Sequence, residues 1–121
     1  MLLRGNPTSA KHWRFAIANE GRPAMHARTT TVNIEPTKIA EATHIYEDNI
    51  IPAIRGLKGF HAAYLMVDHA TGQGVSLTIW ASEDDAKAYE SSGSYKEQVA
   101  KLAALFTSAP TLADYTVTAH T

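Results

Sequence analysis

The chain has 121 residues, 45% of them apolar and 19% charged, with a formal net charge of −1 and no cysteine. That length is one domain, and the near-neutral charge excludes a general nucleic-acid binder, which would be clearly basic. The missing cysteines exclude disulfides, thiolate nucleophiles and cysteine metal sites.

No apolar run approaches the roughly 20 residues that span a bilayer. The opening Met1-Leu2-Leu3-Arg4-Gly5 lacks the apolar stretch of a secretory signal. The expectation is a cytoplasmic protein without membrane or nucleic-acid partners. A chain this short buries only a modest core, so packing against a second copy would help it.

Residues 1–24 hold Arg4, Lys11, Arg14 and Arg22 against Glu20 alone, a net charge of +3 that leaves −4 for the remainder. A basic arm on an acidic body suits docking onto its own domain or onto a partner subunit. A poorly ordered leader is the alternative, and Met25, directly after the arm, is a second candidate start. The expected division is an arm at 1–24 and a folded domain at 25–121.

Residues 26–34 are rich in β-branched types and stop at Pro36, which reads as a strand. Val32 and Ile34 share a face with His26, Arg28 and Thr30, so the core side of this strand turns polar towards its start, as a pocket wall would. Residues 37–55 place Ile39, Ala42, Tyr46, Ile50, Ala53 and Ile54 at helical spacing, with a kink or early end expected at Pro52.

Strands at 60–68 and 75–81 follow, joined by a Gly-containing loop that suits an antiparallel hairpin. Strict alternation puts Phe60, Ala62, Tyr64 and Met66 on one face of the first strand and His61, Ala63, Leu65 and Val67 on the other. In the second, Val75, Leu77 and Ile79 oppose Ser76, Thr78 and Trp80. Ser82 with Asp85 resembles a capping box that opens a helix. That helix is expected to pause at Ser91-Ser92-Gly93 and restart near Ser94, burying Tyr95, Val99, Leu102 and Phe106. A last strand is read at 112–119.

The order βαββαβ predicts a ferredoxin-like α+β fold: one antiparallel sheet with two helices on one face. The other face, assigned Leu65, Val67, Leu77 and Ile79, has nothing in the chain to cover it. A homodimer packed sheet to sheet, forming a dimeric α/β barrel, is expected to bury it.

Four segments carry a resemblance: Val32-Asn33-Ile34-Glu35-Pro36, Gly59-Phe60, Val67-Asp68 with Thr71-Gly72, and the run from Ser76 to Glu83. Residues 25–120 resemble the antibiotic biosynthesis monooxygenase (ABM) domain family, whose members are dimeric α+β barrels. The family includes cofactor-free oxygenases acting on polycyclic phenols, and haem-degrading oxygenases. The resemblance matches Trp80 to the strand-end tryptophan of both branches. At the haem branch's first-strand asparagine this chain has Thr30, and at its haem-ligating histidine it has Val99. The resemblance therefore implies oxygenation of a small aromatic, phenol- or quinol-like, without cofactor, and makes haem degradation the weaker alternative. A non-catalytic ligand-binding or stress-related dimer on the same fold is the other alternative.

Cofactor-free oxygenation needs a planar pocket, a base for a phenolic or benzylic proton, and a donor for the resulting anion. With Trp80 as the resemblance's catalytic candidate, His26, or His44 if the helix turns it inward, is the candidate base and Arg28 the oxyanion stabiliser. Thr30, His44, Tyr46, Tyr64 and Tyr95 are candidates for the pocket wall. The plainer readings stay open: large aromatics are commonly core, and histidines near strand ends are commonly exposed. The six histidines form no i,i+4 pair on a predicted helix, so no metal site is expected.

Overall fold

The computed structural model describes residues 24–121, so the expectations for the basic arm lie outside the described residues. The β-branched opening forms β1 (His26–Asn33). A 3-10 turn at Pro36–Lys38 leads into α1 (Ile39–Ile45), a π-helical turn (Tyr46–Ile50) and α2 (Ile51–Ile54). Then come β2 (Phe60–Val67), β3 (Gln73–Trp80), α3 (Glu83–Glu90), α4 (Gly93–Ala103) and β4 (Thr111–Thr116). The sheet is antiparallel throughout, in the order β2-β3-β1-β4. With both helical segments on one face, this is the ferredoxin-like α+β arrangement.

The helix at Pro52 does not stop; it changes pitch. The Ile51 N–H reaches back five residues to the Tyr46 carbonyl. Pro52 thereby falls in the first turn of α2, where a missing N–H breaks no ladder of its own. One turn of π-helix before a proline thus sets the rotation at which Tyr46 and Ile50 meet the sheet.

The core lies between sheet and helices. Val32, Ile34, Ile39, Ala42, Tyr46, Ile50, Ile54, Trp80, Ala86, Tyr89 and Leu102 form one buried cluster. Most of the predicted helical stripe is there. Phe106 is partly buried but lies beyond α4, bridging Ile34 in a single isolated pair.

Two local readings are corrected. The register of β2 on β3 shifts between Phe60 and Ala62, a β-bulge at the strand's start. Phe60 points inward against Trp80, and from the bulge onward the parity is reversed relative to it. Ala63, Leu65 and Val67 therefore pack on the core. Ala62, Tyr64 and Met66 stand on the outer face with Val75, Leu77 and Ile79, their cross-strand partners. The outer face is apolar as expected, but Leu65 and Val67 do not belong to it. The second correction is the start of α4. Its N-cap is Ser92, which accepts a hydrogen bond from the Tyr95 N–H, one residue before the helix opens at Gly93.

Candidate functional site

Every second residue of each strand faces the helices, so the strand register writes the site's floor in rows. Thr78, Arg28 and Asp114 are cross-strand neighbours on β3, β1 and β4. Ser76, Thr30 and Leu112 form the next row, and Trp80, His26 and Thr116 the row on the other side. Over these rows sits a cavity of about 70 Å³. Its floor is Arg28, Thr30, Val32, Ser76 and Thr78; its roof is Tyr46, Ile50, Tyr89, Tyr95, Val99 and Leu102. Leu112 and Pro110, both exposed, mark its mouth.

Arg28 is the charged group of this wall. It is 6% exposed, and its Nε donates to Asp114 Oδ1 at 2.9 Å. Nη1 lies 3.0 Å from Glu90 Oε1 on α3, an ion-pair distance at which it makes no aligned hydrogen bond. Burial alone would lower the Arg28 pKa; the hydrogen bond and charge of Asp114, then Glu90, reverse this and raise it. The guanidinium is thus fixed in place and permanently charged beside an apolar space.

Asp114 Oδ1 also pairs with His26 Nε2 at 2.9 Å. Partial burial would raise the Asp114 pKa, but the hydrogen bonds from His26 and Arg28 outweigh it and hold the carboxyl below its ordinary value. Facing an ionised Asp114, His26 carries its proton on Nε2. His26 stands outside the cavity wall, in a separate surface cleft with Met25, Ser82, Glu83, Asp84 and Thr116.

Trp80 is 0% exposed and also lies outside the cavity wall. It stacks on Tyr89 with ring centroids 5.0 Å apart and meets the edge of Phe60 at 5.6 Å. Tyr89 in turn meets Tyr95 edge-on at 4.8 Å. An aromatic ladder therefore runs from the core to the cavity, with Trp80 behind Tyr89. The Trp80 Nε1–H donates to Thr78 Oγ1 at 3.0 Å.

The remaining tyrosines divide. Tyr46 is buried, with its hydroxyl donating to the Tyr64 carbonyl at 3.2 Å and paired with Ser76 Oγ at 3.1 Å. Desolvation raises the Tyr46 pKa, partly offset by Ser76. Desolvation likewise raises Tyr89 and Tyr95, so all three are neutral phenols at physiological pH. Tyr64 contributes its backbone only, because its side chain is 54% exposed on the opposite sheet face. His44 is exposed on α1. Of the sequence candidates, Arg28, Thr30, Tyr46 and Tyr95 share the cavity; Trp80, His26, His44 and Tyr64 stand elsewhere.

Sequence reasoning did not single out Asp114, Glu90, Tyr89 or Thr78. Asp114 left a signal, a carboxylate inside a β-strand run. Tyr89 left another, three residues after Ala86 on one helical face. Among the described residues, no group of three or more His, Asp or Glu side chains could hold a metal. No helix among them is long and apolar enough to cross a membrane.

No family model matches the chain. Two uncharacterized proteins of Mycobacterium tuberculosis match part of it. Rv2557 is 30% identical over 83 residues, covering 66% of this chain, and Rv2558 is 26% identical over 87 residues, covering 69%. The chain spans 37% of the length of these curated relatives. Among solved structures, a candidate antibiotic biosynthesis monooxygenase from Caulobacter crescentus CB15 superposes with a TM-score of 0.70 at 18% identity, covering 85% of this chain and 99% of its own. A mutant of SnoaB, a cofactor-independent oxygenase from Streptomyces nogalater, superposes with a TM-score of 0.68 at 14% identity, covering 80% of this chain and 96% of its own. These likenesses are of fold.

Proposed function

We propose that this chain, which has the fold of the antibiotic biosynthesis monooxygenases, binds a small aromatic phenol or quinol and oxygenates it without a cofactor. The observation that carries the reading is Arg28: a buried cation fixed by two carboxylates on the wall of a mostly apolar, tyrosine-lined cavity whose other polar groups are uncharged. Such a wall stacks a ring and holds one ionised oxygen.

The chemistry balances without outside electrons. Loss of a phenolic or benzylic proton to solvent water at the mouth gives an anion that donates electrons to dioxygen, and that proton returns in the water formed. One oxygen atom ends in a new carbonyl in place of two C–H bonds, and the other leaves as water. All four electrons come from the substrate. Arg28 stabilises the oxyanion, a contribution of about 3 kcal/mol for a preorganised donor. His26, out of the cavity, acts through Asp114: it holds the carboxylate that holds Arg28. Tyr95 and Thr30 contact the ring, and Trp80 backs the Tyr89 face.

The cavity volume sets a condition. About 70 Å³ is roughly half of the ~150 Å³ that admits benzene in a packed core. A ring therefore enters only with movement at the mouth, where Leu112 and Pro110 are exposed. Haem is disfavoured on the residues themselves. Thr30 and Val99 both face the cavity, and among the described residues no histidine does.

The assembly is a cytoplasmic homodimer joined through the outer sheet face. Tyr64 at 54%, Met66 at 47% and Tyr115 at 56% exposure, with Leu77 and Ile79 between them, form an apolar patch that a second copy would cover. The alternative of a non-catalytic ligand-binding dimer uses the same cavity.

A thermal-shift screen of polycyclic phenols and quinols against haem tests the binding half. The expected result is stabilisation by a phenol, lost in Arg28→Met, and none by haem. Stabilisation by haem alone would overturn the reading.

A further inference from the structure

Thr78 and Arg28 are directly opposed in register, on adjacent strands and the same inner face. Side chains so placed have Cβ atoms about 4.5–5.5 Å apart. Both line the cavity, and both are at least nine-tenths buried. Each has hydrogen-bonding capacity left over. The Arg28 Nε is taken by Asp114, while Nη1 stands 3.0 Å from Glu90 yet is buried without a hydrogen-bond partner among the described residues. Thr78 Oγ1 accepts from the Trp80 Nε1–H, and among the described residues its own proton has no acceptor. A hydroxyl that accepts from one side must donate elsewhere, and a buried donor without an acceptor is costly.

We propose that Arg28 and Thr78 together form a two-donor cradle for one oxygen of the bound ligand, and that Trp80 is the positioning residue that turns the Thr78 hydroxyl towards it. This rests on the cavity being a ligand site. It gives Trp80 a role that requires no contact with substrate. Its indole N–H occupies the Thr78 lone pair, and its ring backs Tyr89, so one side chain fixes two cavity groups. The ligand class is a planar aromatic with an acceptor oxygen, phenolate or carbonyl, at the strand-register row of Thr78 and Arg28. The charged and titratable groups around that row are Asp114 and Glu90, both half-exposed on the Arg28 side, with His26, Tyr89 and Tyr95.

The test uses two probes of one shape, 4-nitrophenol and nitrobenzene, bound to the full chain at neutral pH. The wild type is expected to bind 4-nitrophenol, the probe with the phenolic oxygen, at least about tenfold more tightly, as one charge-assisted hydrogen bond allows, and to deepen its visible phenolate band. Thr78→Val and Trp80→Phe should each remove most of that advantage. The double variant should lose no more than either alone, because both act through the same hydroxyl. Nitrobenzene affinity should move by less than about twofold in Thr78→Val. Equal weakening of both probes by Trp80→Phe, or additive losses in the double variant, would overturn the cradle. Should Trp80→Phe fail to fold, Thr78→Val decides: an unchanged preference for 4-nitrophenol overturns it. Absence of binding by both probes to the wild type would overturn the ligand cavity itself, and the cradle with it.

Discussion

At the scale of single residues, the cavity holds few polar groups, and its one charged group is held firmly. Asp114 serves two donors with one oxygen, so its proton equilibrium reports on the network. Its folded pKa is depressed, so the stability it contributes is present above the unfolded carboxylate value and is lost as pH falls through the lower folded one. An NMR titration should show Asp114 ionising below a normal aspartate, and Arg28→Met should move it back upward. No change on that substitution would mean that Arg28 does not hold it. Tyr46 makes a separate contribution. Tyr46→Phe removes the hydroxyl from the Tyr64 carbonyl and Ser76, and should cost about 1 kcal/mol in chemical denaturation. The inward facing of Arg28 and Thr30 was legible in the sequence, because parity with Val32 and Ile34 put them on the core side. The retreat of Trp80 behind Tyr89 was not. That depends on the depth of a rotamer between two packed layers, which strand alternation does not encode.

At the scale of elements, the order and type of the described strands and main helical segments could be read from periodicity, and the one misassigned strand face has a local cause. The bulge at Phe60 inverts the alternation of β2 relative to that residue, and no periodic pattern predicts one inserted residue. The helix survives Pro52 because a π turn comes first, a pitch change that 3.6-residue spacing averages out. The turn before β2 shows how tightly these joints are built. Gly59 has φ +80°, and a Cβ there would collide with the Asp85 side chain, the carboxylate paired with the α3 cap residue Ser82. Gly59→Ala should therefore destabilise by about 2 kcal/mol or more, through left-handed strain and collision together. A variant as stable as wild type in a denaturant melt would show that the joint is looser than this geometry.

At the scale of the whole molecule, one sheet has two faces with different tasks: the inner holds core and cavity, the outer is apolar and uncovered by the chain's own described elements. An uncovered face of this composition predicts self-association, and its centre lies at Leu77, opposite Tyr64 and Thr29. Leu77→Asp should convert a dimer to a monomer in sedimentation while leaving the helical circular dichroism intact; a wild type that sediments as a monomer would remove the dimer from the account. The sequence showed that such a face exists, because both faces of the hairpin strands read as mostly apolar and no predicted element remained to cover the second. It assigned the wrong β2 residues to it for the reason given above. Oxygen consumption reports most directly on whether the inner face does chemistry. With a phenol that stabilises the protein, and a chelator present, wild-type protein should take up one dioxygen per substrate oxidised. Arg28→Met should lower the rate by about 10²–10³-fold, the usual loss of one oxyanion donor. Binding of the phenol with no oxygen uptake would contradict the claim and make the cavity a binding site without chemistry.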